Sequence, residues 1–158
     1  MKREEINQQY LWDLSDLFQN DEAWESAFEQ VKVLTESYKA LKGTLTQSSE
    51  QLLKAIQLQE KISRMLSDVV TYASLKMDEN TKFAKYQGYS ARSSTLASEV
   101  GEMMSFAVPE ILKLEYDAFS KLLDHPELQH YEKYFQNLFR NKAHTLSEEI
   151  EGILAQSE

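Results

Sequence analysis

The sequence predicts an all-α protein, an antiparallel helical bundle of about six helices in which three long N-terminal helices are followed by shorter ones. Two observations lead to this fold class. The 158 residues contain only four glycines and two prolines, which are too few for the many turns of a chain of short strands. Apolar residues also recur at steps of three and four positions over long stretches, which is the spacing of one face of an α-helix.

The composition is that of a folded, acidic protein. Hydrophobic residues make up 42% and charged residues 27% of a chain without cysteine, and a chain of this length can bury a core without disulfides. The formal net charge of −9 repels phosphate backbones and anionic lipids, so we expect neither nucleic-acid nor membrane binding. No apolar run is long enough to span a bilayer, and the charged start lacks a secretory signal. We therefore expect a cytoplasmic protein.

The first predicted element is a lead-in over residues 10–18, which either forms a short helix or docks on the body in an extended form. Asn20 or Asp21 then supplies the N-cap of the first long helix, because its side chain can accept a free N–H group of the first turn. Gly43 stands where a glycine is expected to end this helix. The apolar stripe between them consists of Trp24, Ala27, Phe28, Val31, Leu34, Tyr38 and Leu41.

The second long helix is predicted to begin with a capping box, in which Ser48 is followed three residues later by Gln51. Its stripe runs to about Lys76, which corresponds to a length of roughly 40 Å. The stripe consists of Leu52, Ala55, Ile56, Gln59, Ile62, Leu66, Val69 and Ala73.

A polar turn over residues 78–81 leads to the third long helix, which Thr81 is predicted to cap. Glycine costs a helix about 1 kcal/mol relative to alanine, so we expect close packing at the small residues of this helix, which include Gly88 and Gly101. Short connections between the three long helices favour an antiparallel arrangement. The stripe of the third helix consists of Tyr86, Tyr89, Ser93, Leu96, Val100 and Met103.

Shorter elements follow Pro109, which predicts that the third helix ends near residues 106–108. A turn at residues 111–112 and a short helix marked by Tyr116, Phe119, Leu122 and Leu123 come next. Another helix is predicted to begin at Pro126 and to end near Asn141. The last capping box pairs Thr145 with Glu148 and starts a helix with Leu146, Ile150, Ile153 and Leu154 on one face.

The side chains offer no catalytic constellation, and we predict no catalytic, cofactor-binding or metal-binding residue. The scattered glycines exclude a phosphate-binding loop. His125 and His130 are five positions apart rather than the four that a helical HExxH zinc motif requires. Glu127 and His130 match a di-iron motif, but such a site needs a second copy and further carboxylates. Residues 78–80 resemble the start of a calcium loop without its glycine and distal glutamate.

Several aromatic residues allow two interpretations. They could line a groove for peptides, but at helical spacing we expect most of them in the core. These residues are Tyr72, Phe83, Tyr86, Tyr89, Phe106, Tyr131, Tyr134, Phe135 and Phe139. The acidic run Glu148, Glu149 and Glu151 is interpreted as a complement to the helix dipole rather than a cation site.

Four stretches are distinctive when taken in order: WDLSDLF at 12–18, YASLKMDENT at 72–81, PEIL at 109–112 and RNKAHTLSEE at 140–149. Together they resemble the N-terminal helical region of the oligoendopeptidase F family of thimet-oligopeptidase-like zinc metallopeptidases, over nearly the whole chain. The most specific piece is HTLSEE with the preceding Arg140.

The resemblance implies a longer cytoplasmic enzyme that cuts short peptides internally. In this family a helix-borne HExxH binds zinc through its two histidines and activates water through its glutamate, and a downstream glutamate is a third ligand. None of these residues is present, so zinc is expected only in a missing C-terminal catalytic domain, and the chain alone is expected to be inactive. The resemblance also implies that the N-terminal helices form a wall of a closed substrate channel and that His144 is structural.

The resemblance divides the chain into an N-terminal helical domain, residues 1–144, and the start of a helix, residues 145–158, that leads towards the catalytic domain. Its partners would be short peptides and that domain. The alternative is a free-standing helical interaction module without enzymatic activity, which amphipathic helices would support equally well. If the last helix normally packs on the catalytic domain, the apolar face that contains Ile150 and Leu154 would be exposed and would promote self-association.

Overall fold

Three long helices and a series of shorter ones make up the fold of the computed structural model, which describes residues 12–142. The long helices are α1 (Asp21–Lys39), α2 (Ser49–Glu79) and α3 (Ala84–Met104). The shorter ones are α4 (Ala107–Ile111), α5 (Tyr116–Phe119), two 3₁₀ helices (Ser120–Asp124 and Pro126–Tyr131) and α6 (Glu132–Arg140). The all-α prediction is therefore confirmed. The predicted helix from Thr145 lies outside the described residues.

Contacts between the long helices establish their directions. The indole nitrogen of Trp24, near the start of α1, donates to the carbonyl oxygen of Val69, far along α2, over 2.9 Å. The Tyr38 hydroxyl at the end of α1 donates to Gln59 Oε1, which lies earlier in α2, over 3.2 Å. Helices α1 and α2 are therefore antiparallel, as predicted. Asp21 contacts Lys85 at the start of α3, and Tyr38 packs on Phe106 just after the end of α3, so α1 and α3 run in the same direction.

The first core lies among the three long helices and is centred on Trp24. This side chain is fully buried, and its ring stacks on Tyr89 with centroids 3.9 Å apart. Its buried N–H group is satisfied by the carbonyl oxygen of Val69, as a buried indole requires. The lead-in docks on this core. Leu14 is buried, and Phe18 meets Tyr72 edge-on at 5.4 Å, in a turn rather than a helix.

The second core packs the segment after α3 against the first part of α2. It contains Leu52, Ile111, Phe119, Leu123, Leu128 and Phe135. Phe119 and Phe135 are the largest of these, and their ring centroids are 4.7 Å apart. No helix between residues 12 and 142 is both long and apolar enough to cross a membrane.

Glu110 connects α4 to the loop between α1 and α2. Its carboxylate is 8% exposed and accepts the backbone N–H groups of Gly43 at 2.7 Å and Leu45 at 2.8 Å. Gly43 has a φ of 83°, which favours glycine. It does not end α1 as predicted, because the cap is Ala40 and a series of tight turns separates the two residues.

The predicted helix starts are confirmed in part. Ser48 Oγ accepts the Gln51 N–H at 3.1 Å, but the Gln51 side chain donates to Thr44 Oγ1 instead of completing the capping box. The prediction that Thr81 caps the third helix is wrong. Helix α3 begins after Phe83, without a side-chain cap, and the Thr81 carbonyl oxygen accepts from the side chain of Gln87.

Three further predictions differ from the structure. Gly88 faces solvent, and an added Cβ there would meet nothing within 4 Å, so close packing does not compensate for this glycine. Helix α3 ends at Met104, and Pro109 lies in the first turn of α4, where a helix does not need its N–H group. Pro126 starts a 3₁₀ helix, and the α-helical part of the predicted helix begins only at Glu132. Its predicted end at Asn141 is confirmed.

Candidate functional site

A cleft of about 660 Å³ lies where the two cores meet. Its walls come from α2, from the end of α3 with α4, and from α6 with the 3₁₀ turn before it. The buried side chains at its base, which we call the floor, are Tyr38, Leu45, Leu52, Ala55 and Phe135. Because the floor draws on both cores, the cleft is a consequence of how the C-terminal segment packs on the three long helices.

Polar side chains of α2 line the cleft above the floor, and we call Gln59, Glu60, Ser63 and Arg64 the rim. They are exposed and succeed one another within little more than one helical turn, so they lie along one edge of the cleft. Tyr134 of α6 also lines the cleft and is 57% exposed.

Two tyrosines hold parts of the rim in place. The Tyr38 hydroxyl donates to Gln59 Oε1, and burial, with the nearby Glu110 carboxylate, raises the pKa of Tyr38 to about 12. The Tyr131 hydroxyl donates to Glu60 Oε1 at 2.5 Å, and this hydrogen bond raises the pKa of Tyr131 to about 12. Both phenols therefore stay neutral at physiological pH and serve as hydrogen-bond donors rather than bases.

The remaining donors of the rim are unused among the described residues. The side-chain oxygen of Gln59 accepts the Tyr38 hydroxyl, whereas its amide nitrogen makes no hydrogen bond with residues 12–142. The side chain of Ser63 makes no hydrogen bond with that part of the chain either. Arg64 forms no ion pair within that part of the chain, although Glu60 stands one turn before it. The cleft thus combines an apolar floor with free N–H and O–H donors. That arrangement suits binding of a partly apolar ligand that carries hydrogen-bond acceptors, rather than proton transfer or nucleophilic attack.

The histidines that were weighed as ligands have local structural contacts. His125 Nδ1 accepts the Glu127 N–H at the start of a 3₁₀ helix over 3.3 Å, and the His130 ring lies 3.9 Å from that of Tyr131. The Glu127 carboxylate contacts Gln57. Within residues 12–142, no three His, Cys, Asp or Glu side chains are grouped so as to hold a metal ion. These residues therefore do not fit a zinc site. His144 lies outside the described part of the chain, as does the acidic run at 148–151.

The aromatic residues divide between the cores and the cleft, and a groove for peptides stays a prediction. Tyr72, Tyr89 and Phe106 are buried in the first core, as expected for most of the set. Tyr131, Tyr134 and Phe135 line the cleft. The sequence reasoning did not single out Arg64 or Gln59 as cleft residues. A signal existed at Gln59, because it is the one amide in the apolar stripe predicted for the second helix.

A second group of charged and aromatic side chains lies at the opposite end of α1. Asp21 accepts hydrogen bonds from Lys85 at 2.6 Å, from Tyr72 at 2.9 Å and from Tyr86 at 3.3 Å. Burial alone would raise the pKa of Asp21, but the bonds from Lys85, Tyr72 and Tyr86 outweigh burial and lower its pKa. Because these groups already pair with one another, the cluster fastens α1 to α2 and α3.

The chain is similar to known oligopeptidases. Residues 110–158 match a family model described as Oligopeptidase F. The chain is 39% identical to the Group B oligopeptidase PepB of Streptococcus agalactiae, over 97% of this chain and 26% of that protein. It is 32% identical to oligopeptidase PepF of Bacillus subtilis, over 98% of this chain and 23% of that protein.

A crystal structure of oligoendopeptidase-F from Enterococcus faecium has the same fold. The TM-score is 0.76 with 34% identity, and the match covers 87% of this chain and 28% of that one. The chain thus spans about a quarter of the length of the curated relatives it matches. Over nearly its whole length, the chain is therefore similar to a part of the oligoendopeptidases of the oligoendopeptidase F family.

Proposed function

We propose that this chain is the non-catalytic N-terminal part of a cytoplasmic zinc oligoendopeptidase that hydrolyses short peptides internally. The observation that carries the proposal is that nearly the whole chain aligns with about a quarter of proteins named as oligopeptidases. Zinc, and the residues that activate water, would belong to the catalytic domain of the longer protein, because residues 12–142 do not fit a metal site.

The helical body would form a wall of the substrate channel and restrict which molecules enter. Its dimensions support this role, since the 31 residues of α2 make a single helix roughly 45 Å long. Two cores pack along that helix, and buried groups such as Trp24 and Glu110 fix the neighbouring elements to one another. A wall that excludes folded proteins must resist deformation, and a doubly packed long helix meets that requirement.

The division at residue 144 is part of the proposal. Helix α6 ends at Arg140, and the Lys142 ammonium group bonds the Leu114 carbonyl oxygen at 3.1 Å and the Glu115 carboxylate at 2.7 Å. These contacts close the helical body within two residues of the proposed boundary. Residues 145–158 would then lead towards the catalytic domain.

A turnover assay tests the proposal. The chain is incubated with zinc and a quenched fluorescent peptide, beside the full polypeptide encoded by the reading frame that contains it. We expect no turnover from the chain alone, and turnover by the full polypeptide that a chelator abolishes and zinc restores. A folded protein that contains the sequence of the fluorescent peptide should resist cleavage by the full polypeptide.

Two results would contradict the proposal. One is chelator-sensitive turnover by the chain alone that survives repurification. The other is a reading frame that stops after Glu158, which would favour the free-standing interaction module instead.

A further inference from the structure

The cleft has the size and the lining of a binding site. Its volume of about 660 Å³ falls within the range of ligand pockets, roughly 300–1,000 Å³. Leu45, Leu52 and Phe135 on its floor are almost completely shielded from solvent. The partly exposed lining residues Ile56, Met104 and Val108 supply apolar surface that a ligand can reach. An apolar side chain that enters the cleft would extend the contacts of both cores and leave water.

Arg64 on the rim is suited to a carboxylate. Its planar guanidinium group can donate two parallel hydrogen bonds to the two oxygens of one carboxylate. The same molecule shows this geometry at Arg92, whose two terminal nitrogens each lie 2.6 Å from an oxygen of Glu25. Arg64 has no such partner among residues 12–142, and the nearby Glu60 carboxylate accepts the hydroxyl of Tyr131.

The other rim groups match a peptide backbone. The Gln59 oxygen is held by Tyr38, which leaves the amide nitrogen to donate to a peptide carbonyl oxygen. Glu60 Oε1 accepts from Tyr131, and its second oxygen can accept a peptide N–H group. Tyr134, more than half exposed, offers an aromatic face beside the apolar floor.

We propose that this cleft binds the C-terminal end of a short peptide, with the terminal carboxylate on Arg64 and the last apolar side chains over the floor. The choice of a peptide rests on the proposed peptidase function. The choice of its C-terminal end rests on Arg64, because only that end carries a backbone carboxylate next to an apolar side chain. A nucleic acid is disfavoured by the net charge of −9.

The test measures fluorescence anisotropy with a hexapeptide that is labelled at its N-terminus and ends in Ala-Leu-Phe, as the free acid and as the C-terminal amide. For the 158-residue chain we expect the acid to bind at least tenfold more tightly than the amide. Arg64→Gln should bind both peptides equally, and Arg64→Lys should recover part of the preference. Lys61→Gln is the matched control, because it removes the same charge from an exposed position of α2 that does not line the cleft.

Tyr134→Ala tests the apolar contact separately. This side chain is 57% exposed, so its removal should leave the helical circular dichroism signal unchanged. We expect Tyr134→Ala to weaken binding of the free-acid peptide and of the amide peptide by the same factor. The proposal is overturned if wild type does not distinguish the peptides, if Lys61→Gln loses as much as Arg64→Gln, or if neither peptide binds at millimolar concentration. None of these outcomes changes the result expected in the turnover assay, so the proposed function is tested independently of the binding site.

A competing occupant is another part of the longer protein. The chain contains no cysteine, so Ser63→Cys places a single thiol in the rim. In the full polypeptide we expect this thiol to react with a maleimide as fast as in the chain, and more slowly when the free-acid peptide is present. Protection in the full polypeptide without peptide would mean that a protein segment covers the cleft, which contradicts the proposal.

Discussion

Replacing Glu110 with alanine tests the connection between α4 and the α1–α2 loop. Both carboxylate oxygens accept a backbone N–H group, at 2.7 Å from Gly43 and 2.8 Å from Leu45. Leu45 is buried, so its N–H group would lose its partner without gaining water, whereas Gly43 is exposed and its N–H group can be hydrated. An unsatisfied buried donor costs about 1–3 kcal/mol, and the loss of the solvent-accessible bond from Gly43 costs about 1 kcal/mol more, the usual net contribution of a hydrogen bond.

We therefore expect Glu110→Ala to lower the free energy of unfolding by about 3 kcal/mol. For a domain of this size the corresponding fall in Tm is roughly 9 °C. Glu110→Gln should lie between wild type and alanine, because its amide keeps one acceptor oxygen but presents N–H groups to the other donor. Urea unfolding followed by circular dichroism at 222 nm measures both values.

Glu102→Ala is the matched control, because Glu102 is exposed and its side chain makes no hydrogen bond or ion pair within the described part of the chain. It should stay within about 0.5 kcal/mol of wild type. Hydrogen exchange adds a local readout, since the Leu45 amide of Glu110→Ala should lose protection under native conditions. A Glu110→Ala variant as stable as Glu102→Ala, with a protected Leu45 amide, would refute the assigned role.

The remaining predictions concern α3, the Asp21 cluster and the C-terminal residues. Gly88→Ala should raise the free energy of unfolding by about 0.5–1 kcal/mol, because the site is helical, exposed and open to a Cβ; a loss of stability in urea unfolding would contradict this. The lowered pKa of Asp21 stabilises the fold above its unfolded pKa, near 3.8, and this contribution disappears as pH falls through the folded value. The stability difference between wild type and Asp21→Asn should therefore be largest at neutral pH and shrink below about pH 4; a difference independent of pH would refute it. Deletion of residues 145–158 should lower the light-scattering mass if their apolar face promotes self-association, and an unchanged mass argues against it.

The long helices could be predicted from the sequence because their signals are local. Asn20 and Ser48 cap α1 and α2 as expected, each through a bond to a backbone N–H group three residues on. The apolar stripes also identify most of the first core, including Trp24 and Val69. Periodicity and capping act within one or two turns of a helix, so a single sequence contains them completely.

The predictions that were wrong concern residues whose structure depends on partners elsewhere in the fold. Gly43 looks like the end of α1, but its backbone conformation serves a hydrogen bond to Glu110, 67 positions away. Thr81 has the right residue type for a cap, yet the short turn before α3 places only its carbonyl oxygen in a bond. Neither outcome follows from local propensity, because the energy comes from tertiary contacts that override it.

The cleft could not be predicted from the sequence for the same reason. Its floor joins Tyr38 of α1 to Phe135 of α6, and its rim is a polar edge of α2 that reads as an ordinary exposed face. A groove was considered for nine aromatic residues together, of which Tyr131, Tyr134 and Phe135 line the cleft. A single amide, Gln59, interrupts the apolar stripe, and such an interruption is a weak signal without knowledge of what packs opposite.

Substitutions of Glu110 and of Arg64 should affect peptide binding in different ways, because Glu110 holds residues of the cleft lining and Arg64 is the proposed carboxylate-binding group. Leu45, whose N–H group bonds Glu110, lines one part of the cleft, and Ile111, the residue after Glu110, lines another. Glu110 therefore connects two parts of the cleft lining and is not itself one of the lining residues. Glu110→Ala should weaken binding of the acid and amide peptides by the same factor, whereas Arg64→Gln should weaken the acid alone. If Glu110→Ala also removed the preference for the acid, the carboxylate contact would depend on the floor, and Arg64 could not be its independent binding group.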